Sequence, residues 1–298
     1  HGKLIFLDIR DASGVLQAVA LPMHEAAHTA AKELRPEWVV EVVGKVNKRP
    51  EKMVNANSPL GDIELELTGI RVLSRAEELP FDKDTEINID THLDNLPLTL
   101  RGQKWQAVFR VQAVIIRAFR DFFTQEHFTE IQVPKLVGGD AEGGAAVFEV
   151  DYFGKRAFLA TSPQIYKQIM VGALERVFTT TTVYRAEKHS TSRHLNEYTT
   201  LDIEMGFIKD HTDIMKIETK FLHFLRAQLE KDCKEEFAML KAELPLVPDE
   251  IPTFKLREAQ EIIKKETGED CTNEPDLEPQ HERWLSEYAR EKFNSDFL

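Results

Sequence analysis

Cysteine is scarce in this sequence, with Cys233 and Cys271 the only two in 298 residues. They stand far apart in polar surroundings and in no metal-ligand spacing, which argues against a disulfide framework or a cysteine metal centre. A reducing, cytoplasmic setting is then the default. Long apolar runs are missing too, so no stretch reads as a membrane span. Positive charge is in deficit: 38 Lys and Arg against 51 Asp and Glu leave a net charge of −13. That balance argues against broad, nonspecific nucleic-acid binding, though not against a local basic patch. There is no internal repeat and no low-complexity tract. The chain opens at His1 rather than Met, in a strand already under way (LIFLDIRD), and is read as a fragment.

What is present is globular. The sequence is 42% hydrophobic and 30% charged, enough for a sizeable core in one large domain or two ordinary ones. Residues 1–72 hold four runs rich in Val, Ile and Leu (LIFLDIR, VLQAVALP, WVVEVVGKV, IELELTGIRVL), with a helical MHEAAHTAAKEL between the second and third. Strand, strand, helix, strand, strand in that span suggests an OB-fold barrel, a class that binds single-stranded nucleic acid. A β-domain without a ligand fits the same pattern. Residues 73–100, acidic and carrying Pro80 and Pro97, read as a linker.

From Arg101 to His127 the period turns helical, with Phe109, Ala113, Ile116, Phe119 and Phe123 as the expected core stripe. EIQVPKLV reads as a strand, and Pro134 assigns it to an edge or an interface. A hairpin (VFEVDYF, KRAFLAT) and a helix from Pro163 to about Leu174 follow, with Gln164 and Lys167 on one helix face. Further helices are expected over 213–233, 256–265 and 282–292, and SDFL reads as the start of another strand.

The most informative stretch is VYRAEKHSTSRHLNEYTTLDIEMGF, residues 183–207. Both ends alternate apolar and polar residues, the mark of two half-buried strands joined by a polar loop. Arg185 and Glu187 are placed on one strand face, Asp202 and Glu204 on the other strand's, with Arg193 and His194 in the loop. Leu201, Ile203, Met205 and Phe207 are expected in the core. Arginines so placed suit phosphate binding; a solvated cross-strand network is the alternative account of the charges.

These stretches together resemble a class II aminoacyl-tRNA synthetase. LIFLDIRDASGVLQAV, AEGGAAVFEVDYF, SPQIYKQ and the 183–207 hairpin, in that order, are similar to the aspartyl-tRNA synthetases, in the archaeal and eukaryotic form that lacks a large inserted domain. The resemblance implies an α+β fold. An OB-fold anticodon-binding domain over 1–72 and a linker over 73–100 would precede a catalytic domain of mixed, mainly antiparallel sheet and helices over 101–298. It implies ATP and L-aspartate as substrates, tRNA as the acceptor, Mg²⁺ held by residues beyond Leu298, and a cytoplasmic homodimer built on the helix from Arg101 and the strand to Pro134.

By the same resemblance Arg185 holds the α-phosphate and the substrate carboxylate, Glu187 reads the adenine amino group and Tyr198 stacks on the base. Arg193 and His194 reach the outer phosphates. Gln164 and Lys167 recognise the amino-acid side chain, and Glu142, Asp202 and Glu204 surround its ammonium. Phe6, Gln17 and Glu64 match anticodon readers. The family's third motif lies past Leu298, so the fragment alone is expected to be inactive. An asparaginyl-tRNA synthetase and a non-catalytic paralogue are the alternatives. Lys167 separates the first, because an ammonium neutralises a β-carboxylate and offers a neutral amide nothing comparable.

Overall fold

The computed structural model describes residues 4–56, 60–81, 87–139, 146–188 and 195–298. They form two compact units, His1–Thr91 and His92–Leu298.

In the first unit, β1 (Ile5–Asp11) and β2 (Gly14–Ala20) form an antiparallel hairpin in which Phe6 faces Val19 and Asp8 faces Gln17. Helix α1 (Glu25–Glu33) comes next, then β3 (Val39–Lys48) and β4 (Ile63–Ser74), in the sheet order β1-β2-β4-β3. The strand–strand–helix–strand–strand order is the one expected. Alternation in β1 turns Ile5, Leu7 and Ile9 inward onto Ala18, Ala20 and Leu67. Ala27 and Ala31, one turn apart on α1, let the helix backbone come close to that layer.

Gly44 sits at an irregularity in the β3–β4 ladder, where a Cβ would lie 2.3 Å from the carbonyl oxygen of Glu66. Gly44→Ala therefore forces backbone apart and should cost about 1–3 kcal/mol. Gly69→Ala, whose added Cβ meets only Val43 Cβ at 3.7 Å, is the control and should cost less. Paired thermal melts compare the two.

The expected linker is not featureless. It contains α2 (Ile89–Asp94) and α3 (Leu96–Thr99). His92 is buried there and stacks on Trp105 at 3.4 Å with an 11° tilt.

In the second unit α4 (Gln103–Gln125) packs on α6 (Thr212–Asp232) and α7 (Lys234–Leu240), the last not anticipated from the sequence. The buried stripe of α4 is Ala107, Val114, Ala118, Phe119, Phe122 and Phe123. Phe119 and Phe123 are as expected, but Phe109 is 54% exposed and Ala113 is also exposed. Contact with α6 and α7 selects a stripe rotated from the expected one.

EIQVPKLV does not form one strand. Pro134 separates β5 (Thr129–Glu130) from β6 (Leu136–Val137), and each lies at the edge of a different sheet. β7 (Glu149–Tyr152) and β8 (Lys155–Leu159) form the expected hairpin, turning through Phe153 and Gly154, both with positive φ. Helix α5 (Gln164–Leu174) leads into β9 (Arg176–Tyr184), which pairs antiparallel with β10 (Glu197–Met205) and parallel with β5.

One face of the β9–β10 ribbon is core. Phe178, Leu201, Ile203 and Met205 pack there with Phe119, Phe122, Phe123, Phe128 and Ile217. Phe207 does not join them: β10 ends at Met205, the N–H of Gly206 bonds to Glu175 O, and Phe207 turns out with φ 57°, 92% exposed.

Helices α8 (Leu256–Thr267) and α9 (Pro279–Phe293) enclose Ala259, Ile263, Cys271 and Leu285. SDFL forms no strand; Asp296 instead exchanges two hydrogen bonds with the backbone of Leu246, at 2.9 and 2.7 Å. Cys233 and Cys271 are both buried and free.

Candidate functional site

The other face of the β9–β10 ribbon carries the candidate site. Period-two alternation puts Tyr198, Thr200, Asp202 and Glu204 on it, opposite Val183, Thr181, Thr179 and Val177. Helix α5 packs against both strands and brings Gln164 and Lys167 to this floor. Lys167 is 4% exposed. Its Nζ donates to Asp202 Oδ1 at 3.0 Å and to Ile203 O at 3.2 Å, and lies 3.5 Å from Glu204 Oε2. Gln164 Nε2 donates to the same Glu204 oxygen at 3.0 Å. The structure thus joins four residues singled out from the sequence: Gln164, Lys167, Asp202 and Glu204.

Two contributors were not foreseen. Thr200 Oγ1 donates to Asp202 Oδ2 at 2.5 Å, so both oxygens of that carboxylate are engaged. Thr200 precedes Asp202 by two on one strand, and the period-two rule could have found it. Lys135, just after Pro134, hydrogen-bonds Thr181 on the same floor. Burial holds its ammonium below the ordinary lysine range, while the Asp202 charge acts in the opposite direction. No sequence pattern links Lys135 to Thr181; the break at Pro134 does.

Arg185 lies one residue past β9. Its N–H reaches Asn196 O at 3.0 Å, so the hairpin ladder runs one rung further and Arg185 stays on the floor's side. Glu187 does not share that strand face. The N–H of Ala186 bonds to Ala146 O at 2.8 Å and that of Glu187 bonds back to Arg185 O at 2.8 Å, which ends the alternation. Tyr198 is half-buried beside Val183, on the floor. Glu142, Arg193 and His194 lie outside the described residues. Among the described residues no three His, Cys, Asp or Glu side chains converge on one point.

In the first unit Phe6, Gln17 and Glu64 come to one face of the sheet. Phe6 is 43% exposed and so lies outside the core. Gln17 and Glu64 lie on neighbouring strands, and Arg49 stands between them. Its Nη2 donates to Gln17 Oε1 at 2.8 Å and its Nε is 4.0 Å from Glu64 Oε2. Beside them Glu66 accepts from Asn47 Nδ2 at 2.8 Å and contacts His24 Nε2 at 2.9 Å. The His24 bond first, then the Asn47 bond, holds the Glu66 carboxyl below its usual range.

One chain thus carries a four-stranded sheet with one helix and, after it, a helix-backed antiparallel hairpin with a charged floor. The family model for tRNA synthetases class II (D, K and N) matches residues 88–298, and that for the OB-fold nucleic acid binding domain matches residues 1–73. The chain belongs to the class II tRNA synthetases of the D, K and N group.

Among curated relatives it is 42% identical to the aspartate–tRNA(Asp/Asn) ligase of Deinococcus radiodurans, over 100% of this chain and 66% of that protein. It is also 42% identical to the enzyme of the same name from Thermus thermophilus, over 100% of this chain and 67% of that one. Among solved structures, the asparaginyl-tRNA synthetase of Pyrococcus horikoshii complexed with asparaginyl-adenylate superposes with a TM-score of 0.87 at 31% identity, covering 97% of this chain and 66% of that one. The chain spans about two thirds of the length of these relatives.

Proposed function

We propose that this chain is the larger part of an aspartate–tRNA ligase. Its two steps would be attack of the aspartate α-carboxylate oxygen on the α-phosphorus of ATP, expelling pyrophosphate, and transfer of the aspartyl group to a tRNA ribose hydroxyl, expelling AMP. Both reactants of the first step are anions, so the chain's contribution is positioning and charge stabilisation. Arg185 offers a planar, bidentate donor to the α-phosphate and carboxylate. Tyr198 and Glu187 take the adenine, Arg193 and His194 the outer phosphates, and Glu142, Asp202 and Glu204 the ammonium. Gln164 and Lys167 select the side chain. Mg²⁺ would come with ATP.

The observation that carries the reading is Lys167: a lysine buried to 4% exposure whose ammonium lies on the pocket floor. A buried ammonium favours a β-carboxylate over a carboxamide. In the full-length protein, aspartate should support ATP–pyrophosphate exchange at least about a hundredfold better than asparagine. Exchange that depends on asparagine instead assigns the protein to the asparaginyl enzymes, to which one solved neighbour belongs. Exchange with neither amino acid supports the non-catalytic paralogue.

The reading includes tRNA contact through Phe6, Gln17 and Glu64, and extends to both acceptors, tRNA-Asp and tRNA-Asn, as the names of the curated relatives state for those proteins. It divides the chain into the OB-fold domain over 1–72, a joining segment over 73–100 and the catalytic domain over 101–298. It also includes a cytoplasmic homodimer, for which the exposed Val108 and Phe109 on α4 provide apolar surface.

A further inference from the structure

Lys135 stands on the floor, and none of the roles above uses it. Its carbonyl accepts from the N–H of Ala160 at 2.9 Å, and the carbonyl of Ala160 accepts from the N–H of Tyr184 at 2.9 Å. These two bonds pin Lys135 beside the end of β9. From there its side chain crosses to Thr181, the floor residue opposite Thr200. The residue is half-buried, and among the described residues its ammonium makes one hydrogen bond, to the neutral Thr181 hydroxyl, and no ion pair. Burial disfavours its charge and the charge of Asp202 favours it, but both Asp202 oxygens are already engaged by Lys167 and Thr200. An ammonium has three donors. A half-buried one with donors to spare is matched to an anion that the described floor does not supply.

The register of the ribbon says which anion. Asp202 and Glu204, proposed for the substrate ammonium, pair with Thr179 and Val177, and Arg185, proposed for the α-phosphate, is bonded to Asn196. The pair Thr181 and Thr200 lies between these two ends. Successive pairs on one face are roughly 7 Å apart. An amino acid with its ammonium at one end, attacking a phosphorus at the other, has its α-carboxylate over the middle of the ribbon, where Lys135 reaches Thr181. We infer that Lys135 is a substrate-binding residue for the α-carboxylate, holding one of its oxygens while the other attacks. In that step the attacking oxygen bonds to the α-phosphorus as the bond to the pyrophosphate oxygen breaks. The electron pair leaves with pyrophosphate, no proton moves, and Lys135 stays an ammonium. The carboxylate gives up negative charge as the bond forms, so Lys135 grips the ground state at least as firmly as the transition state. Its loss is therefore read in binding more than in kcat.

This inference rests on the proposed activation of an amino acid on this floor, and the two fail differently. The probes are L-aspartate and the amino alcohol in which a hydroxymethyl group replaces its α-carboxylate, with ammonium and β-carboxylate kept. Dissociation constants are measured with the full-length protein, the alcohol by competition against aspartate. Lys135→Met should weaken aspartate binding by about tenfold to a hundredfold, as expected for one charge-assisted hydrogen bond. It should leave binding of the alcohol within about twofold. The kcat of ATP–pyrophosphate exchange should change less than the dissociation constant for aspartate.

Equal weakening of both ligands assigns Lys135 to the side chain, to the ammonium through Asp202, or to the fold, and overturns the inference. Unchanged aspartate binding overturns it too, as does a loss confined to kcat. Should Lys135→Met not fold, Lys135→Gln keeps a donor without the charge and must show the same selective loss. If the unaltered protein exchanges pyrophosphate with neither aspartate nor asparagine, the reading beneath the inference has failed and takes it along. If it exchanges with asparagine alone, only the aspartate assignment falls. Asparagine has the same α-carboxylate, and it and its amino alcohol then serve as the probes.

Discussion

Replacing Lys167 by methionine is expected to remove aspartate activation from the full-length protein, with kcat/KM for aspartate falling by roughly 10³-fold or more. The same substitution should also lower stability. Lys167 neutralises Asp202 at 3.0 Å and stands 3.5 Å from Glu204, and removing one partner of a buried ion pair costs about 3–5 kcal/mol. A loss of activity alone would therefore not discriminate between amino acids, since an asparagine enzyme built this way would also be destabilised. Kinetics at a temperature where the variant is folded separate the two effects. An aspartate enzyme loses its preference for aspartate over asparagine, and a variant that stays folded and keeps the full preference contradicts the assigned role.

Phe123→Ala should give the largest stability change of any single truncation in the second unit. The ring is 2% exposed, with centroids 4.7 Å from Phe119, 5.0 Å from Phe122, 5.1 Å from Phe128 and 5.5 Å from Phe221. Phe→Ala in such a setting costs about 3–5 kcal/mol, part of it for the cavity left behind. For a unit of this size that is a fall in melting temperature of roughly 6–20 °C. The exposed Phe109→Ala is the comparison and should shift the melt little. Because the same cluster backs Leu201 and Ile203, the loss also loosens the strand that carries Asp202 and Glu204. Equal melts for the two variants would contradict this account of the core.

Local rules read well where one neighbour decides the outcome. Alternation in LDIE identifies which side chains of β10 face the floor, and the spacing of Gln164 and Lys167 puts both on the strand-facing side of α5. The readings fail where a third element decides. Phe109 and Phe119 belong to the same apolar periodicity, and only the docking of α6 and α7 determines which of them is buried. Glu187 leaves the strand face because Ala186 bonds to Ala146, about forty residues earlier in the chain. Phe207 looks like the next core residue of an alternating strand, but a bond from Gly206 to Glu175 turns the chain first. Phe6 shows the reverse case: as a lone aromatic in a strand it suggests core, and register puts it outward beside Gln17.

The described floor pairs its acids with its own donors. Gln164 and Lys167, assigned to grip a substrate, hold Glu204 and Asp202 instead, and Thr200 takes the remaining oxygen of Asp202. On the proposed reading, an arriving aspartate, itself an ammonium and two carboxylates, meets acids that are already engaged. One lysine stands between two carboxylates there, so on that reading the aspartate carboxylate takes Lys167 from Asp202 and Glu204, and its ammonium draws the freed acids to itself. On that reading affinity is the difference between the contacts given up and those gained. A ligand lacking one charge would then leave the exchange unbalanced, which is how such a floor would discriminate.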